Sequence, residues 1–443
     1  MKTHWTKLRP KVLVKIKPTP ALTKRAQAAS ARLAVKARAE AKKLNASVEP
    51  LLVGSLAKDT HRTPTLDVDL FLLFPTNTTR ENLEKHGIKI GKRILRKPTL
   101  RYAEHPYVHG SFAGFPFDVV PAYAITDPTA KMSAVDRSPF HTHYVQKRLK
   151  PGQRDEVRIL KQFLQGIGCY GAETATSGFS GYLAELFILK FGSFWDALMA
   201  FREIHPPILL ALEGEPQPLG GDLVFIDPVD PRRNAAAAVS TERLETFQRA
   251  ARMFTAAPTP EYFWPRPMKA EPRERLTEHL SHRGILGLRV PTPTVRPEAR
   301  LPHLRRLAEK VTRRLNDEGF RVVRNVVDRV PNGYLLLWEH DPVVLPETYE
   351  HRGPPVDDTA NSRKFLQKWQ NHPEATALPH PHGKNWSVTL RRPHRDPMSI
   401  LAPDLVQLLK GTDLPKRVAV GGRFGPAMEF AQKPGTRLAL TKL

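Results

Sequence analysis

Residues 51–75, LLVGSLAKDTHRTPTLDVDLFLLFP, place two aspartates, Asp67 and Asp69, inside a run of Leu, Val and Phe. Desolvating an isolated carboxylate is costly, so a carboxylate among apolar residues is usually paired or bound to a metal ion. Residues i and i+2 of a strand point to the same face, so both aspartates are predicted to project together while Val68 points into the core. The pattern indicates metal-binding carboxylates at the exposed edge of a strand.

A third carboxylate, Asp118, lies in the apolar segment FPFDVVPAY, which is predicted to be another strand. If the two strands are neighbours, three carboxylates converge, and their repulsion favours divalent cations such as Mg²⁺, which prefers oxygen ligands. The predicted Gly54-Ser55 turn offers backbone N–H groups and a hydroxyl to a triphosphate. Two metal ions that bridge an attacking hydroxyl and a leaving pyrophosphate would stabilise an in-line displacement. An Asp-x-Asp pair alone is equally typical of an exposed loop or a structural pair.

The chain is strongly basic, with 69 Lys and Arg against 44 Asp and Glu in 443 residues, a formal net charge of +25. This excess favours a polyanionic partner, most often nucleic acid, although a general bias towards basic residues is the alternative. The single cysteine indicates a reducing compartment, and we expect a cytoplasmic protein. We find no run of about 18 apolar residues, so no membrane span is expected.

The local patterns predict a multidomain α+β protein. Helices are predicted over 20–46, 77–97, 156–164, 182–191, 242–254, 302–317 and 361–371. Strands are predicted over 51–53, 66–74, 107–110, 115–120, 286–290, 320–327 and 334–339. The proline-rich stretch APTPEYFWPRPMKAEPRE marks a boundary near residue 265. We therefore predict a mixed-sheet domain over 1–142, a mainly helical domain over 143–265 and an α+β domain with a tail over 266–443.

Several ordered strings resemble the archaeal-type, class I CCA-adding enzymes, which are tRNA nucleotidyltransferases of the polymerase-beta-like superfamily. These strings are GS…DVDLFLLFP, YAEHPYVHG, FDVVPAY, SAVDRSPFHTHYV, EVRILKQFL, YGAETATSGFSGYLAELFIL and DPVDPRRNAAAAVS. The match runs from about residue 8 to the C-terminus and is dense through residue 255. The resemblance implies a polymerase-beta-like catalytic head, a helical neck that recognises the nucleotide, and a C-terminal body and tail that bind tRNA.

The resemblance also implies an activity. Such enzymes add C, C and A to the tRNA 3′ end from CTP and ATP without a nucleic-acid template. By motif match, Asp67 and Asp69 would bind two Mg²⁺ ions, and Asp118 would join them as a metal ligand and activate the terminal 3′-hydroxyl. Gly54 and Ser55 would hold the triphosphate.

Further nucleotide contacts follow from the same resemblance. His141, Lys161 and Tyr170 would contact the phosphates or the sugar of the incoming nucleotide. Arg233, in DPVDPRRN, would help to read the base edge of CTP or ATP, together with backbone phosphates of the tRNA. Relatives often carry arginine three residues after the serine, whereas this chain has Lys58. The charge is kept but the planar fork is lost, so we expect a phosphate contact that is not bidentate.

Each of these assignments has a plainer alternative. Lys161 lies on a predicted helix and could be a solvated cation. Tyr170 could be an aromatic residue of the core. Arg233 could serve only to pair with Asp227 or Asp230.

The resemblance implies that the partner is tRNA, and that the basic C-terminal half binds its acceptor stem and TΨC arm. It also implies a homodimer, because the family is often dimeric. Two alternatives remain. A poly(A)-type or oligoadenylate-type polymerase would share the three aspartates, although AEHPYVHG and DPVDPRRN favour the tRNA enzyme. The second alternative is a non-catalytic RNA-binding protein with a degenerate transferase domain. All three aspartates and the Gly-Ser turn are present, so the sequence does not indicate that the active site has degenerated.

Overall fold

A computed structural model of the chain describes residues 2–102, 106–173, 176–291, 297–410 and 423–441. The chain divides into two compact units, Met1–Arg266 and Pro267–Leu443. Residues 103–105 of the string YAEHPYVHG and residues 174–175 of YGAETATSGFSGYLAELFIL lie outside the described residues. No helix within the described ranges combines the length and the apolar composition needed to cross a membrane.

The first unit contains a five-stranded sheet. Its strands are β1 Glu49–Val53, β2 Val68–Phe74, β3 Arg96–Tyr102, β4 Pro106–Phe112 and β5 Phe115–Tyr123. Their spatial order is β1-β2-β5-β4-β3, with β2 and β5 parallel and each other neighbouring pair antiparallel. Nearly every residue of β2 and β5 is buried or half-buried, as expected for central strands that are covered on both faces.

Helices cover the sheet and form the rest of the first unit. They are α1 Lys2–Ile16, α2 Pro20–Lys43, α3 Gly54–Ala57, α4 Arg80–Ile94, α5 Ser138–Arg148, α6 Pro151–Gly166, α7 Gly181–Phe191, α8 Phe194–Glu203 and α9 Thr241–Ala256. A short parallel pair, β6 Ile208–Leu210 and β7 Leu223–Phe225, lies between α8 and α9 in the sequence.

One face of the sheet packs against α2 and α4. Thr79 caps the start of α4 by accepting a hydrogen bond from the backbone N–H of Asn82. Gly87 and Gly91 of α4 allow a close approach, because a Cβ at Gly87 would lie 2.6 Å from Pro121 and one at Gly91 would lie 2.7 Å from Val108. The two glycines therefore let side chains of the sheet pack directly against the backbone of α4.

The helical part of the first unit has an aromatic core of its own. Trp5 of α1 contributes to it, with its ring centroid 5.0 Å from that of Phe194. Phe163 of α6 lies near the centre and contacts the rings of Phe194, Phe247 and several others. This core fixes α6 and α7, which carry several of the candidate site residues.

The second unit contains two antiparallel sheets and the remaining helices. Its strands are β8 Gly284–Pro291, β9 Arg321–Val330, β10 Gly333–Asp341, β11 Thr348–Pro355, β12 His380–His382, β13 Asn385–Arg391 and β14 Arg423–Pro426. Its helices are α10 Arg273–Ser281, α11 Pro297–Asp317, α12 Thr359–Trp369, α13 Pro397–Leu401, α14 Leu405–Leu409, α15 Ala427–Ala431 and α16 Pro434–Thr441. The strand orders are β14-β8-β10-β9 and β11-β13-β12.

The multidomain α+β class with an N-terminal mixed sheet is confirmed. The predicted helix over 77–97 is wrong at its C-terminal end, because α4 ends at Ile94 and Arg96 begins β3. The predicted strand over 66–74 begins two residues later, at Val68. The division of the chain at residues 142 and 265 stays a prediction.

Candidate active site

Two of the three predicted carboxylates lie side by side on neighbouring strands. Asp69 of β2 is in register with Val53 of β1 on one side and with Asp118 of β5 on the other. His109 of β4 is in register with Asp118, and its Nδ1 lies 2.6 Å from Asp118 Oδ1. The acidic side chains therefore meet on the sheet face that is opposite to α2 and α4.

Asp67 lies just before β2 rather than inside it, and its side chain is exposed. Its charge nevertheless acts on both half-buried partners, since it contributes to raising the pKa of Asp69 and of Asp118. Asp67 therefore lies at the exposed end of the strand, where the sequence pattern predicts the metal-binding carboxylates. Val68 is fully buried, as the alternation predicts.

The pKa values of Asp69 and Asp118 are both raised, so a bound cation would stabilise the ionised carboxylates. Burial raises the pKa of Asp69 to about 7, and the charges of Asp118 and Asp67 add to the rise. Burial also raises the pKa of Asp118, although the hydrogen bond with His109 opposes this shift. In the described part of the chain, no three His, Cys, Asp or Glu side chains stand in a ready-made metal-binding arrangement. The donor chemistry fits Mg²⁺, because carboxylates that resist ionisation together are stabilised by a divalent cation.

Gly54 brings the backbone directly against Asp69. It has a φ of +74°, and a Cβ at this position would lie 2.1 Å from Asp69 Oδ2. The predicted Gly54-Ser55 turn is the start of the one-turn helix α3, and the N–H of Gly54 donates to Thr142 Oγ1 at 3.3 Å. Ser55 is half-buried beside it, and its carbonyl accepts from the N–H of Thr60.

Lys58 and Lys161 share one buried carboxylate, Glu185 of α7. Lys58 Nζ donates to Glu185 Oε2 at 2.5 Å, and Lys161 Nζ donates to Glu185 Oε1 at 2.8 Å. Both lysines lower the pKa of Asp69, so they lie within electrostatic reach of the carboxylate group. The alternative of Lys161 as a solvated cation is wrong, because its side chain is buried and paired.

A second buried carboxylate, Asp227, joins three side chains from separate elements. His141 Nε2 lies 2.9 Å from Asp227 Oδ2, Arg233 Nη1 donates to the same oxygen at 2.7 Å, and the Tyr182 hydroxyl donates to Oδ1 at 2.9 Å. The rings of His141 and Tyr182 stack at 3.9 Å. Burial opposes ionisation, but His141 and Arg233 outweigh it and hold the pKa of Asp227 below its ordinary value. The pairing considered for Arg233 is therefore present, and the Arg233 side chain is still 31% exposed.

Tyr170 lies beside the lysine cluster rather than deep in the aromatic core. The Arg62 guanidinium lies 5.0 Å from its ring centroid. Its hydroxyl is 3.0 Å, and Lys161 Nζ 3.6 Å, from the point where a Cβ on Gly181 would stand. Burial raises the pKa of the Tyr170 hydroxyl, so it stays protonated and able to donate.

The first unit thus groups the sequence-predicted residues into three neighbouring sets. The sequence did not single out His109, Thr60, Glu185 or Tyr182, and it named Asp227 only as a possible partner of Arg233, although these residues hold the three sets together. Glu185 and Asp227 carried a usable signal, because each is an acid inside an apolar run, GYLAELFILKF and LVFIDPV respectively. The same reasoning that identified Asp69 applies to both.

Comparisons with known families define the class of the protein. Residues 35–141 match the nucleotidyltransferase domain, residues 155–264 match the tRNA nucleotidyltransferase second domain, and residues 283–420 match the C-terminal domain of CCA-adding enzymes. The first match covers the carboxylate group. It shows that the five-stranded sheet belongs to a nucleotidyltransferase.

Curated relatives narrow the class to one family. The chain is 37% identical to the CCA-adding enzyme of Halobacterium salinarum over 81% of this chain and 80% of the relative. It is 38% identical to that of Archaeoglobus fulgidus over 72% and 74% of the two chains, and 35% identical to that of Methanothermobacter thermautotrophicus over 86% and 84%. The chain belongs to the CCA-adding enzyme family and is a tRNA nucleotidyltransferase.

Proposed function

We propose that this protein adds C, C and A to the 3′ end of tRNA from CTP and ATP, without a template and with release of pyrophosphate. The observation that carries the proposal is the register of Asp69 with Asp118, which brings two carboxylates together on neighbouring strands, with the Asp69 carboxylate against the backbone of Gly54. Family membership gives the acceptor, and the carboxylate group gives the chemistry.

The carboxylates define where the transfer takes place. Asp67, Asp69 and Asp118 would hold two Mg²⁺ ions, which when bound neutralise phosphate charge and favour ionisation of the attacking hydroxyl. Asp118 is the carboxylate nearest His109 and is proposed to face the 3′-hydroxyl of the tRNA. Most of the catalysis then comes from positioning the hydroxyl in line with the α-phosphorus and from charge neutralisation.

The residues around the carboxylates are proposed to bind the nucleotide. Gly54 and Ser55 contact the triphosphate, with Lys58 and Lys161 as the cations beside it. A lysine acts as a point charge towards phosphate, so Lys58 suits this place without the fork of an arginine.

The remaining contacts are proposed for the sugar and the base. His141 and Tyr170 contact the sugar or the phosphates of the incoming nucleotide. Arg233 reads the base edge, and its side chain stays partly exposed although Nη1 contacts Asp227 at 2.7 Å. Asp227 thereby fixes the direction of the guanidinium.

The acceptor is proposed to be held by its acceptor stem and TΨC arm. Duplex RNA is recognised mainly through its shape, its 2′-hydroxyls and its phosphates, which suits a chain with a net charge of +25. A cytoplasmic location follows from this role as a prediction, and the homodimer also stays a prediction.

The direct test offers the purified protein and Mg²⁺ three tRNA transcripts that end at the discriminator base, after one C and after two Cs. We expect CTP to extend the first two and to stop at CC, and ATP to extend only the third by a single A. Long ATP tails on any RNA without CTP use would indicate a polyadenylating enzyme instead. Stable tRNA binding without metal-dependent turnover would indicate a non-catalytic RNA-binding protein.

A further inference from the structure

Glu185 of α7 is a buried carboxylate that joins three separate segments of the first unit. Its Oε2 accepts from Lys58 Nζ at 2.5 Å, and its Oε1 accepts from Thr60 Oγ1 at 2.7 Å and from Lys161 Nζ at 2.8 Å. The Glu185 side chain has no solvent exposure. Lys58 and Thr60 follow α3 and Lys161 lies on α6, so one carboxylate connects a loop to two helices.

The charges of this cluster do not cancel. Burial opposes the ionisation of Glu185, but the two lysines outweigh it and hold its pKa at about 2. One carboxylate therefore faces two ammonium groups, and one positive charge is left over. That charge lies close to the candidate active site, because Lys58 is the C-cap residue of α3, and α3 begins at Gly54, which lies against Asp69.

Each lysine keeps hydrogen-bonding capacity for a further anion. An ammonium group has three donors. Among the described residues, Lys58 donates one hydrogen bond, to Glu185. Lys161 donates two, to Glu185 and to Thr60 Oγ1. The remaining N–H donors of the two ammonium groups can bind phosphate oxygens.

A buried ion cluster is a costly way to stabilise a fold, since apolar side chains of similar volume often do as well. The cluster does offer control over two long, flexible side chains. Ordering a lysine side chain costs conformational entropy, and a binding site in which that ordering is already complete binds its ligand more tightly.

We propose that Glu185 is a positioning residue that holds the ammonium groups of Lys58 and Lys161 where the triphosphate of the incoming nucleotide binds. The inference rests on the proposed function, because it takes the nucleotide to be a nucleoside triphosphate. Glu185 itself touches neither the nucleotide nor the reacting atoms. Its effect is on nucleotide affinity rather than on the chemical step.

The test is the substitution Glu185→Gln, which keeps the shape of the side chain and removes its charge. The dissociation constant for CTP is measured by calorimetry without tRNA, and KM and kcat are measured with tRNA. We expect CTP binding and the KM for CTP to weaken about tenfold or more, the usual effect of losing a charge-assisted contact. We expect kcat to change by less than about threefold, with the KM for tRNA unchanged.

Glu156→Gln is the matched control. Glu156 of α6 is also a buried carboxylate, and it accepts hydrogen bonds from Arg9 Nε at 2.9 Å and from the N–H of Phe194 at 3.0 Å. Both variants should unfold at a lower temperature than the wild type, but only Glu185→Gln should bind CTP more weakly. CTP affinities that are equal in the wild type and Glu185→Gln would overturn the proposal.

If Glu185→Gln does not fold, Thr60→Val carries the same test with a smaller change, since it removes the hydroxyl that links Lys161 to Glu185. We expect CTP affinity to fall severalfold with kcat kept, and an unchanged affinity would overturn the proposal. Measurements on the wild type distinguish a failure of the proposed function from a failure of the role proposed for Glu185. If it binds CTP but extends no tRNA, the proposed function fails while the CTP affinities still decide the role of Glu185.

Discussion

Asp69 and Gly54 owe their closeness to the register of the sheet. Asp69 pairs with Val53, and Gly54 is the next residue after Val53. A residue with a side chain at position 54 would have to displace the Asp69 carboxylate, because its Cβ would lie 2.1 Å from Asp69 Oδ2. The backbone at Gly54 also has a positive φ, which glycine adopts without strain. Both features require glycine at position 54.

Gly54→Ala should therefore damage the site. We expect CTP incorporation to fall by about a hundredfold or more and stability to fall by about 1–3 kcal/mol, because the new Cβ strains the backbone and displaces Asp69. Gly114→Ala is the control, since Gly114 has a φ of +86° but nothing lies within 4 Å of an added Cβ. Radiolabelled CTP incorporation and thermal melting are the measurements. Nearly normal incorporation by Gly54→Ala would contradict the assigned geometry.

Glu185 also predicts a pH dependence of stability. Its pKa in the folded protein is about 2, below the ordinary 4.5, so its stabilising effect is present above about pH 4.5 and is lost as the pH falls towards 2. The full shift corresponds to about 3 kcal/mol at neutral pH. The free-energy difference between the wild type and Glu185→Gln should narrow by about 1 kcal/mol from pH 6 to pH 3.5 in urea unfolding. A difference that widens on acidification would contradict the buried ion cluster.

The residue scale shows which parts of the site the sequence can predict. Asp69 and Asp118 stand out because a carboxylate in an apolar strand is visible locally, and the structure brings them into register. Glu185 was not identified from the sequence, and Asp227 was considered only as a partner of Arg233, because their other partners lie far away in the sequence. Lys58 is 127 residues from Glu185, and His141 is 86 residues from Asp227. Their roles become apparent only once the chain is folded.

At the scale of elements, α4 packs on the sheet face opposite to the carboxylates and so fixes the strands that carry them. Gly91 of α4 lies against Val108 of β4, and Gly87 lies against Pro121 of β5. β4 and β5 carry His109 and Asp118 on their other face. A shift of α4 would therefore move the strands that carry the site.

Gly91→Ala should destabilise the first unit, because its Cβ would lie 2.7 Å from Val108 in a packed interior. We expect a loss of about 1–3 kcal/mol in free energy of unfolding. Gly152→Ala in α6 is the control, since it meets no atom within 4 Å and should be neutral or stabilising by up to about 1 kcal/mol. Chemical unfolding compares the two variants, and equal stabilities would show that the close packing is not needed.

Elements with a clear apolar pattern were predicted well, and those without one were not. β2 and β5 are buried on both faces and appear in the sequence as apolar runs. β3 is an edge strand whose residues are almost all exposed, so RKPTLRY shows no alternation; its first two residues were predicted as the end of a helix and the others were not predicted as a strand. α1 contains Pro10 and is largely basic, which hides its helical character.

At the scale of the whole molecule, the net charge of +25 predicts that tRNA binding depends strongly on salt. Each neutralised phosphate releases counterions, so tRNA affinity should fall by about a hundredfold or more between 50 and 200 mM KCl. CTP affinity should change much less, because few contacts are involved. Filter binding at several salt concentrations measures the slope. A tRNA affinity that does not change with salt would contradict a phosphate-dominated interface.

The sequence could predict a polyanionic partner because charge is a sum over residues and needs no fold, whereas tRNA in particular was implied by the family resemblance. It could not predict how the acidic residues are used, because 44 Asp and Glu look alike in a composition. The structure separates them. Asp69 and Asp118 are held close together at some cost, whereas Glu185 and Asp227 are neutralised by neighbouring cations.

The most direct test of the central claim is Asp118→Asn, which keeps the shape of the side chain and removes its charge. Single-turnover incorporation of CTP into tRNA that lacks CCA is measured beside the dissociation constant for the same tRNA. Asp127→Asn, at an exposed aspartate of the same unit, serves as the control. We predict that Asp118→Asn loses about a thousandfold or more in incorporation while tRNA affinity stays within about threefold. Retained incorporation, or a loss of tRNA binding in step with activity, would contradict the catalytic role of the carboxylate group.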